Sequence, residues 1–365
     1  MAFKLAAAAS RGLADVGSMA LSLEWSAPLL AVLIWRPALA DNICGYIAKA
    51  FSTTARPGVI TRMLSVRGTA ATLLVFFVGR QANRILSTMA ANSWGIKPRE
   101  DWTWSEEIAV VTGGCSGIGE AITLRLAAMG VKVAVLDVQD LPVNMQASER
   151  IRYYRCDVSS ASSVGEAAKT IRSELGHPSI LVNNAGTLKS APIMAVAEED
   201  LRRVNGVNTL ALWFTTQQFG QEMVRLNKGH IVTVASLASF VAASSSAPYA
   251  ASKAAALAFH ESLAGEIKHV YKTPGVLTTI VHPHWVRTPL VAERMDQFKD
   301  SGVDVLESDH VAKAVVDQIQ SRRGAQLIMP SRMGFVTGMR GWPVWMQEIL
   351  RDSVRRNTAF KDPAQ

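Results

Sequence analysis

The chain has 365 residues, 49% of them hydrophobic, which is enough for one large domain with an appended segment and argues against wholesale disorder. The formal net charge is +8, but eight basic residues and no acidic one lie in residues 42–99; outside this segment 30 basic residues balance 30 acidic ones, so no nucleic-acid partner is expected. Three cysteines at unrelated spacings exclude a disulfide framework and favour a reducing compartment.

Residues 1–100 are predicted to form an apolar and basic membrane-anchor region with helical segments. Residues 25–35 and 68–79 are uncharged and apolar, although each run is shorter than the roughly 20 residues that a simple helical span needs. Tryptophans at both ends of the first run and arginines beside both runs are typical of a membrane interface. We expect two in-plane or re-entrant segments or one strained span; an N-terminal subdomain with two buried helices is the alternative.

The first residues of the chain also fit a targeting sequence. Residues 1–17 carry Lys4 and Arg11, have no acidic residue before Asp15, and are rich in alanine and serine. This composition is compatible with a mitochondrial targeting peptide. A secretory signal is not expected, because the first long apolar run begins late and Glu24 interrupts it.

From residue 101 onward, strand and helix patterns alternate. A short buried-strand pattern at residues 108–112 is followed by Gly-Gly-Cys-Ser-Gly-Ile-Gly at 113–119 and by a helical pattern at 120–129. Glycines at a turn between a strand and a helix let the backbone approach a pyrophosphate, and the helix N-terminus supplies N–H donors and a positive dipole. The turn therefore predicts a dinucleotide-binding site.

The second strand pattern, at residues 131–136, is followed directly by Asp137. A carboxylate at this place can accept hydrogen bonds from the adenosine ribose hydroxyls and would repel a 2′-phosphate. No basic residue stands at Cys115, Ser116 or Val138 to receive such a phosphate. The cofactor predicted from these residues is NAD, and NADP is the less favoured alternative.

Two further strand patterns end in polar residues. The pattern at residues 151–155 leads to Asp157, which could contact the adenine or cap the helix that starts near Ala161. The pattern at 179–182 ends in Asn-Asn-Ala-Gly at 183–186. These small residues and amides suit a tight turn that packs on the cofactor and ties adjacent strands together.

A strand pattern at residues 230–235 is followed by Ser236, and thirteen residues later by Tyr249 and Lys253. The tyrosine and the lysine are four residues apart in a segment rich in helix formers, so their side chains should share one helix face. A neighbouring ammonium favours the phenolate and should lower the tyrosine pKa from its ordinary value near ~10. A strand that ends at Ser236 could place its hydroxyl beside that phenol.

Taken together, these motifs resemble those of the short-chain dehydrogenase/reductase family, in the family's order and at its spacings, over roughly residues 105–330. The motifs that carry the resemblance are the glycine-rich turn at 113–119, Asp137, Asp157, the segment 183–186, Ser236, Tyr249 and Lys253. The resemblance implies an α/β fold, namely a Rossmann-type doubly wound parallel sheet with helices on both faces.

The resemblance also implies roles for four catalytic residues. Tyr249 would be the general acid/base, Lys253 would lower its pKa and bind the nicotinamide ribose, and Ser236 would hydrogen-bond the substrate oxygen. The family also uses an asparagine on the preceding helix. We choose Asn208 over Asn205, because its distance to Ser236 and the sequence that follows it match the family better.

The cofactor contacts implied by the resemblance extend past the sixth strand pattern, at residues 277–281. The full set is Gly113, Cys115, Ser116, Gly117, Ile118, Gly119, Asp137, Asp157, Val158, Asn184, Ala185, Gly186, Tyr249, Lys253, Pro283, Val286 and Thr288. His284 departs from the family pattern, which usually has glycine there. His282 and His284 have no third ligand in view, so no metal site is expected.

The end of the chain is predicted to close the sheet and cover the site. Residues 325–330 have the pattern of a last edge strand, so we assign 101–332 to the catalytic domain and 333–365 to a C-terminal extension. That aromatic and basic extension could be a substrate lid, a contact of a homodimer, or a segment at a membrane interface. Residues 286–305 have an irregular pattern and are predicted to form the mobile lid.

Within the family, the chain most resembles the membrane-associated retinol and 17-beta-hydroxysteroid dehydrogenases of the endoplasmic reticulum and lipid droplets. This implies an NAD(H)-dependent oxidoreductase that interconverts a hydrophobic alcohol and its carbonyl, attached to such a membrane with its catalytic domain facing the cytosol. Two alternatives stay open: a ketoreductase of specialised metabolism, and a non-catalytic membrane or lipid-droplet protein that retains the fold.

Overall fold

The computed structural model describes residues 66–95 and 101–358. The chain divides into two compact units, Met1–Thr88 and Met89–Gln365. In the first unit, helix α1 (Val66–Ala91) begins, and it includes the predicted apolar run at residues 68–79. The other predicted apolar run, residues 25–35, lies outside the described residues. Among the residues described, no helix combines the length and the apolar character needed to cross a bilayer.

The second unit is organised around a seven-stranded parallel sheet with the order β3-β2-β1-β4-β5-β6-β9. Its strands are β1 (Ile108–Thr112), β2 (Lys132–Asp137), β3 (Ile151–Arg155), β4 (Ile180–Asn183), β5 (Gly229–Val234), β6 (Val276–Pro283) and β9 (Ala325–Met329). β1, β4, β5 and β6 are buried at every residue, as expected for a parallel sheet covered on both faces. The predicted α/β class and the predicted edge strand are both confirmed.

Helices connect the strands and cover both faces of the sheet. They are α2 (Gly117–Ala128), α3 (Val143–Gln146), α4 (Ala161–Glu174), α5 (Glu198–Asn205), α6 (Ala211–Leu226), α7 (Ala247–His269), α8 (Met295–Ser301), α9 (Ser308–Gln320) and α10 (Val344–Thr358). Successive strand side chains point to opposite faces. Accordingly, Val133 and Val135 pack in one core cluster with α2 and α9, while Ala134 and Leu136 pack in another with α4 and α6.

The strand order reverses at β1, which pairs with β2 on one side and with β4 on the other. Connections leaving such a pair in opposite directions open a crevice at the carboxyl ends of the strands. The glycine-rich turn follows β1, and Asn183 ends β4. This topology brings the predicted cofactor residues to one edge of the sheet.

The predicted lid, residues 286–305, is more regular than its sequence pattern indicated. It contains β7 (Val286–Arg287), a 3-10 segment (Pro289–Arg294) and α8, and it leads into β8 (Leu306–Glu307). β7 pairs with β8 in a parallel ladder, which closes the segment on itself. The irregular prediction was wrong because two-residue strands and one- or two-turn helices are too short to show a periodicity.

A buried carboxylate ties the amino-terminal ends of three strands together. Glu107, which precedes β1, accepts a hydrogen bond from Lys228 Nζ at 2.6 Å and another from the Thr103 N–H at 3.3 Å. Its second oxygen accepts a hydrogen bond from the Ser179 hydroxyl. Because these residues precede β1, β4 and β5, the cluster fixes the end of the sheet opposite the crevice.

We predict that Glu107→Ala lowers the free energy of unfolding by about 3 kcal/mol, because it leaves a half-buried ammonium and a hydroxyl without their partner. Urea unfolding measures this loss. The neighbouring exposed carboxylate Glu106 gives a matched control, and Glu106→Ala should change stability by less than about 0.5 kcal/mol. Equal effects of the two substitutions would contradict the assignment.

Candidate active site

The turn between β1 and α2 depends on glycine at three positions. Gly113 and Gly117 have φ values of 62° and 56°, in the left-handed region that favours glycine. A Cβ atom at Gly119 would overlap the carbonyl oxygen of Gly113 and the side-chain amide of Asn184. Ser116, Gly117 and Ile118 line a cavity at the start of α2, where the helix dipole and the first N–H groups favour an anion.

The end of β4 holds this turn in place through hydrogen bonds. Asn184 Nδ2 donates to the carbonyl oxygens of Thr112 and Gly113, both at 3.0 Å. The Thr112 hydroxyl accepts hydrogen bonds from the backbone N–H groups of Asn184 and Ala185, again at 3.0 Å. The predicted role of residues 183–186 in tying adjacent strands together agrees with this arrangement.

Asp137, at the end of β2, is almost fully buried and lies beside the glycine-rich turn. Its Oδ2 accepts a hydrogen bond from the Cys115 N–H at 2.9 Å, and its Oδ1 accepts one from the Gln139 N–H at 3.0 Å. The Cys115 side chain packs into the core, and burial, together with Asp137, raises the pKa of its thiol to about 12. Cys115 therefore contributes its backbone N–H to the site.

Asp157, after β3, does not cap the following helix. Its Oδ1 accepts hydrogen bonds from the N–H of Ser159 at 2.9 Å and from the Ser159 hydroxyl at 2.7 Å. The cap of α4 is Ser160, whose hydroxyl oxygen accepts a hydrogen bond from the Ser163 N–H. Asp157 and Val158 line the cavity, so capping is the alternative that the structure removes.

Lys253 is buried inside α7, with 5% of its surface exposed. Its Nζ donates a hydrogen bond to the carbonyl oxygen of Val234 at 2.9 Å and lies 5.8 Å from the centroid of the Tyr249 ring. Burial lowers the pKa of Lys253 to about 8, because the ammonium loses hydration that one carbonyl replaces only in part. The pair shares one helix face, as its spacing predicted.

The pKa of Tyr249 moves in the direction opposite to the one expected from the sequence. Burial raises it above the ordinary value, and a hydrogen bond with Ser236 lowers it by less. A buried phenolate loses hydration, and the Lys253 ammonium lies beside the ring with one of its protons donated to Val234. The phenol is therefore protonated at neutral pH.

Ser236 lies between β5 and the helical turn Leu237–Ser239. Its hydroxyl oxygen accepts a hydrogen bond from the Ala238 N–H at 3.1 Å. Its carbonyl oxygen accepts one from His282 Nδ1, at the end of β6, at 3.0 Å. These two contacts fix the serine beside Tyr249, where it forms the hydrogen bond described above.

Asn208 sits in a π-helical turn (Gly206–Leu210) between α5 and α6 and is 1% exposed. Its side chain forms paired hydrogen bonds with the backbone of Thr187, accepting at 2.8 Å and donating at 2.9 Å. It also donates to the Ser252 hydroxyl at 2.9 Å, within the helix that carries Tyr249. Asn205, by contrast, donates to Leu201 of its own helix.

The loop after β6 passes over the glycine-rich turn. Thr288 lies so close to Gly117 that a Cβ atom there would be 2.9 Å from its methyl carbon. His284, where the family usually has glycine, donates its N–H to the Met329 carbonyl oxygen at 2.7 Å, and its Nδ1 lies 3.2 Å from the Asp304 carbonyl oxygen. These contacts join the loop to β9 and to the end of the lid.

One cavity of about 900 Å³ collects most of the predicted site residues. Those on its wall are Gly113, Ser116, Gly117, Ile118, Asp137, Asp157, Val158, Asn184, Ala185, Gly186, Ser236, Tyr249, Lys253, Pro283, Val286 and Thr288. Cys115, Gly119 and Asn208 are behind the wall, for the packing reasons given above. Asn208 reaches the cavity through Thr187, whose backbone it binds and which lines the wall.

Part of the wall comes from residues that the sequence did not single out. Val336 from the 3-10 segment Ser331–Gly341, and Leu350 and Val354 from α10, line the cavity. The four-residue spacing of Leu350 and Val354 was the available signal for one apolar helix face. Arg294 also lines the cavity; it donates to the Ser190 hydroxyl and lies 5.8 Å from the Trp285 ring centroid.

Three buried histidines lie near the catalytic end of the sheet and are neutral at physiological pH. Burial lowers the pKa of His230 to about 3 and that of His260 and of His282 to about 4. Over residues 66–95 and 101–358, no group of three or more potential ligands could hold a metal ion. His282 instead supports Ser236.

The wall fits a nicotinamide dinucleotide. A Cβ atom at Gly186 would lie 3.6 Å from Asn208 Oδ1 and 3.7 Å from Lys253 Nζ, so glycine keeps open the space beside Lys253. At the other end, the glycine-rich turn and a buried carboxylate border the place for a pyrophosphate and a ribose. A parallel sheet with this crevice, together with a tyrosine, a lysine and a serine on its wall, defines a nicotinamide-dependent oxidoreductase.

A family model described as short chain dehydrogenase matches residues 107–299, and the chain belongs to this family. "Dehydrogenase RED2" of Cochliobolus heterostrophus is 37% identical over 182 residues, covering 50% of this chain and 69% of the relative. "Estradiol 17-beta-dehydrogenase 11" of Pongo abelii is 29% identical and covers 66% and 80%. "Retinol dehydrogenase 10-B" of Danio rerio is 32% identical and covers 55% and 67%.

A solved structure supports the same fold. The 3-ketoacyl-(acyl-carrier-protein) reductase from Brucella melitensis, complexed with NADH, is 26% identical, with a TM-score of 0.56, and covers 62% of this chain and 97% of its own. The predicted family and its resemblance to the retinol and 17-beta-hydroxysteroid dehydrogenases are confirmed. The protein is an oxidoreductase that acts on CH–OH donors and interconverts alcohol and carbonyl groups, and its fold binds a nicotinamide cofactor.

The lowered pKa of Lys253 predicts a specific dependence of stability on pH. From about pH 8 to the ordinary lysine value of 10.5, the folded protein binds fewer protons at this site than the unfolded chain. Wild-type stability should therefore rise with pH in this window relative to Lys253→Met, by about 2 kcal/mol between pH 7 and pH 10. Urea unfolding of both proteins at the two pH values measures this difference. A pH-independent difference would contradict the buried ammonium.

Proposed function

We propose that this protein is an NAD(H)-dependent oxidoreductase that interconverts a hydrophobic alcohol and its carbonyl compound, with Tyr249 as the general acid/base. The observation that carries the proposal is the position of Tyr249 in the cavity. Its phenol, Ser236 and Lys253 stand on one wall, the glycine-rich turn lies toward one end, and apolar side chains from α10 line another part. One cavity therefore offers a place for a dinucleotide and a place for an apolar substrate.

The cofactor preference rests on Asp137. Its carboxylate is held by two backbone N–H groups beside the glycine-rich turn, and its neighbours on the cavity wall, Val138 and Gln139, are uncharged. Ribose hydroxyls can donate to this carboxylate, whereas a 2′-phosphate would meet a like charge with no cation from these neighbours. These contacts favour NAD over NADP.

The proton transfer falls to Tyr249 because its hydroxyl meets Ser236 at the wall of the cavity. When bound, the nicotinamide ring gives or takes the hydride. In carbonyl reduction, the Tyr249 O–H bond breaks and its proton passes to the substrate oxygen; in alcohol oxidation, the proton moves from that oxygen to the phenolate. Ser236 is placed to hydrogen-bond the same oxygen, and Lys253 to hold its positive charge close to the phenol and the ribose.

The direction of the reaction has two candidates. An NAD preference favours alcohol oxidation under cellular redox conditions. The raised pKa of Tyr249 favours carbonyl reduction, because a protonated phenol is the proton donor that reduction needs. A ketoreductase with the same residues is therefore the second candidate function.

The substrate class follows from the apolar part of the wall. Leu188, Val241, Trp285 and Met333 join the residues of α10 in lining it, and such a surface favours a large apolar molecule. Two relatives are named for estradiol and retinol, which are both apolar alcohols. A retinoid, a steroid or a lipid-like alcohol is the substrate that these observations support.

The place of action is proposed from the sequence. The apolar and basic residues 25–79 favour attachment to the endoplasmic reticulum membrane or to a lipid droplet, and a mitochondrial location is the alternative. A non-catalytic protein that retains the fold is the least supported function, because the four predicted catalytic side chains stand in or directly behind one cavity wall.

The central test replaces the proposed acid/base. Tyr249→Phe should lower kcat by about a hundred- to ten-thousand-fold, because the substrate oxygen loses its proton partner while the ring still fills its place. The reaction is followed by the absorbance of the reduced nicotinamide, with retinol, steroid and long-chain alcohols and their carbonyls. Tyr271→Phe, which removes a hydroxyl just past the end of the same helix, is the matched control and should leave kcat unchanged. Full activity of Tyr249→Phe would exclude the proposed mechanism.

The cofactor preference has a separate test. Binding of NADH should be tighter than binding of NADPH, and Asp137→Asn should reduce that preference about tenfold by removing the charge while keeping the hydrogen-bond acceptor. Quenching of protein fluorescence by each cofactor gives both dissociation constants. The exposed residue Asp140 provides the control, since Asp140→Asn should leave the ratio unchanged. Equal wild-type affinity for both cofactors would remove the argument from Asp137.

A further inference from the structure

Helix α10 is apolar on two nearly opposite faces. Leu350 and Val354 line the cavity, whereas Trp345 and Ile349, also four residues apart, point away from it and are 65% and 60% exposed. An amphipathic helix of a soluble domain normally exposes only its polar side. The outer face of α10 therefore has an apolar character that packing within this unit does not use.

The exposed apolar surface extends beyond these two side chains. Val344 and Met346 flank Trp345 and are exposed, and Phe335, which is stacked on Trp342, is 51% exposed. We call these five side chains the outer patch: Phe335, Val344, Trp345, Met346 and Ile349. Contiguous exposed apolar surface of this kind marks a site of interaction with a protein or a membrane.

The outer patch belongs to an ordered segment that is fixed to the catalytic loop. Arg340 donates hydrogen bonds to the carbonyl oxygens of Ser239 at 3.0 Å and of Phe240 at 3.4 Å. Val336 and Met339, from the same 3-10 segment, are buried. Because these contacts anchor the start of α10, its outer face stays turned away from the cavity.

The lid contributes a second apolar group at the rim of the cavity. Leu290 lines the cavity and is 42% exposed. Helix α8, which follows it, packs against α10. The rim therefore has exposed apolar side chains on the lid as well as on the C-terminal extension.

We propose that the outer patch lies on an anionic lipid surface, so that a hydrophobic substrate enters the cavity directly from lipid, past α10 and the lid. This inference rests on the proposed function for the class of substrate. It assigns the C-terminal extension two roles at once, a wall of the cavity on one side and a contact with lipid on the other.

Composition and charge favour lipid over another protein as the occupant. Tryptophan and phenylalanine among guanidinium groups are typical of the region between headgroups and acyl chains. Residues 331–365 contain six basic and three acidic residues, although the chain outside residues 42–99 has no net charge. This local positive charge complements an anionic headgroup layer.

The direct test places an environment-sensitive fluorophore on the outer patch of the full chain. Ile349→Cys is labelled in a Cys44→Ser background, where Cys115 and Cys156 are buried. Vesicles of phosphatidylcholine with about one fifth phosphatidylserine are added. We expect a blue shift and a several-fold rise in fluorescence. The same label at Val270→Cys, an exposed apolar position at the end of α7, should not respond.

Three outcomes would overturn the proposal. The label at position 349 could stay in water while the protein sediments with the vesicles, which would place the contact elsewhere. It could become shielded without vesicles as the protein concentration rises, which would assign the patch to a second copy. It could be shielded at every concentration without vesicles, which would assign it to another segment of the same chain.

A kinetic experiment tests the route of entry. The double substitution Trp345→Glu and Ile349→Glu should raise KM about tenfold for a long-chain alcohol carried in the vesicles, through weaker partition of the enzyme onto lipid. It should leave kcat/KM for a short water-soluble alcohol unchanged, and Val270→Glu should change neither value. An unchanged KM for the vesicle-borne alcohol would overturn entry from lipid. A wild type that oxidises neither alcohol would refute the proposed function, and the fluorophore would still decide the lipid contact.

Discussion

The hydrogen bond from Lys253 Nζ to the Val234 carbonyl oxygen is the contact on which the site depends. It joins α7 to the end of β5 and draws an ammonium into the interior, where one carbonyl replaces several waters. The same contact determines where Tyr249 and Ser236 stand, since one belongs to the helix and the other follows the strand by two residues. Burial then raises the pKa of the phenol and lowers that of the ammonium, so the two values move toward each other.

The cavity is built from two ends of the chain that perform different work. Segments that follow β1, β2 and β4 form the part that suits a dinucleotide, and their positions follow from the parallel strand order. The part that suits the substrate comes from the lid and from the residues after β9. A conserved sheet geometry can therefore carry the cofactor, while the choice of substrate depends on segments that the sheet does not constrain.

The central fold was predictable because its signals are local. A buried strand, a glycine-rich turn and a helix follow one another at 108–128, and Asp137 ends the next strand within a few residues. Asn208 could be chosen over Asn205 because a glycine follows Asn205, and the helix does become irregular there. These features need no knowledge of distant contacts, so the sequence contains them.

Other features depend on distant contacts and were not predictable. Tyr249 was expected to have a lowered pKa, but the degree of burial of its phenol is set by the segments that enclose the cavity. Val336, Leu350 and Val354 reach the cavity only because Arg340 fixes their segment to residues 239–240. The lid pairs β7 with β8 across a separation of about twenty residues, which a periodic pattern of two residues cannot reveal.

The π-helical turn at Gly206–Leu210 has a consequence for the evolution of this chain. Such a turn holds one residue more than regular helix would, and this surplus residue turns Asn208 toward the Thr187 backbone and Ser252. Loss of a single residue here would restore an uninterrupted helix and rotate every later position by about 100° about its axis. Substitutions can accumulate on the exposed side of this helix, but its length is fixed to the residue.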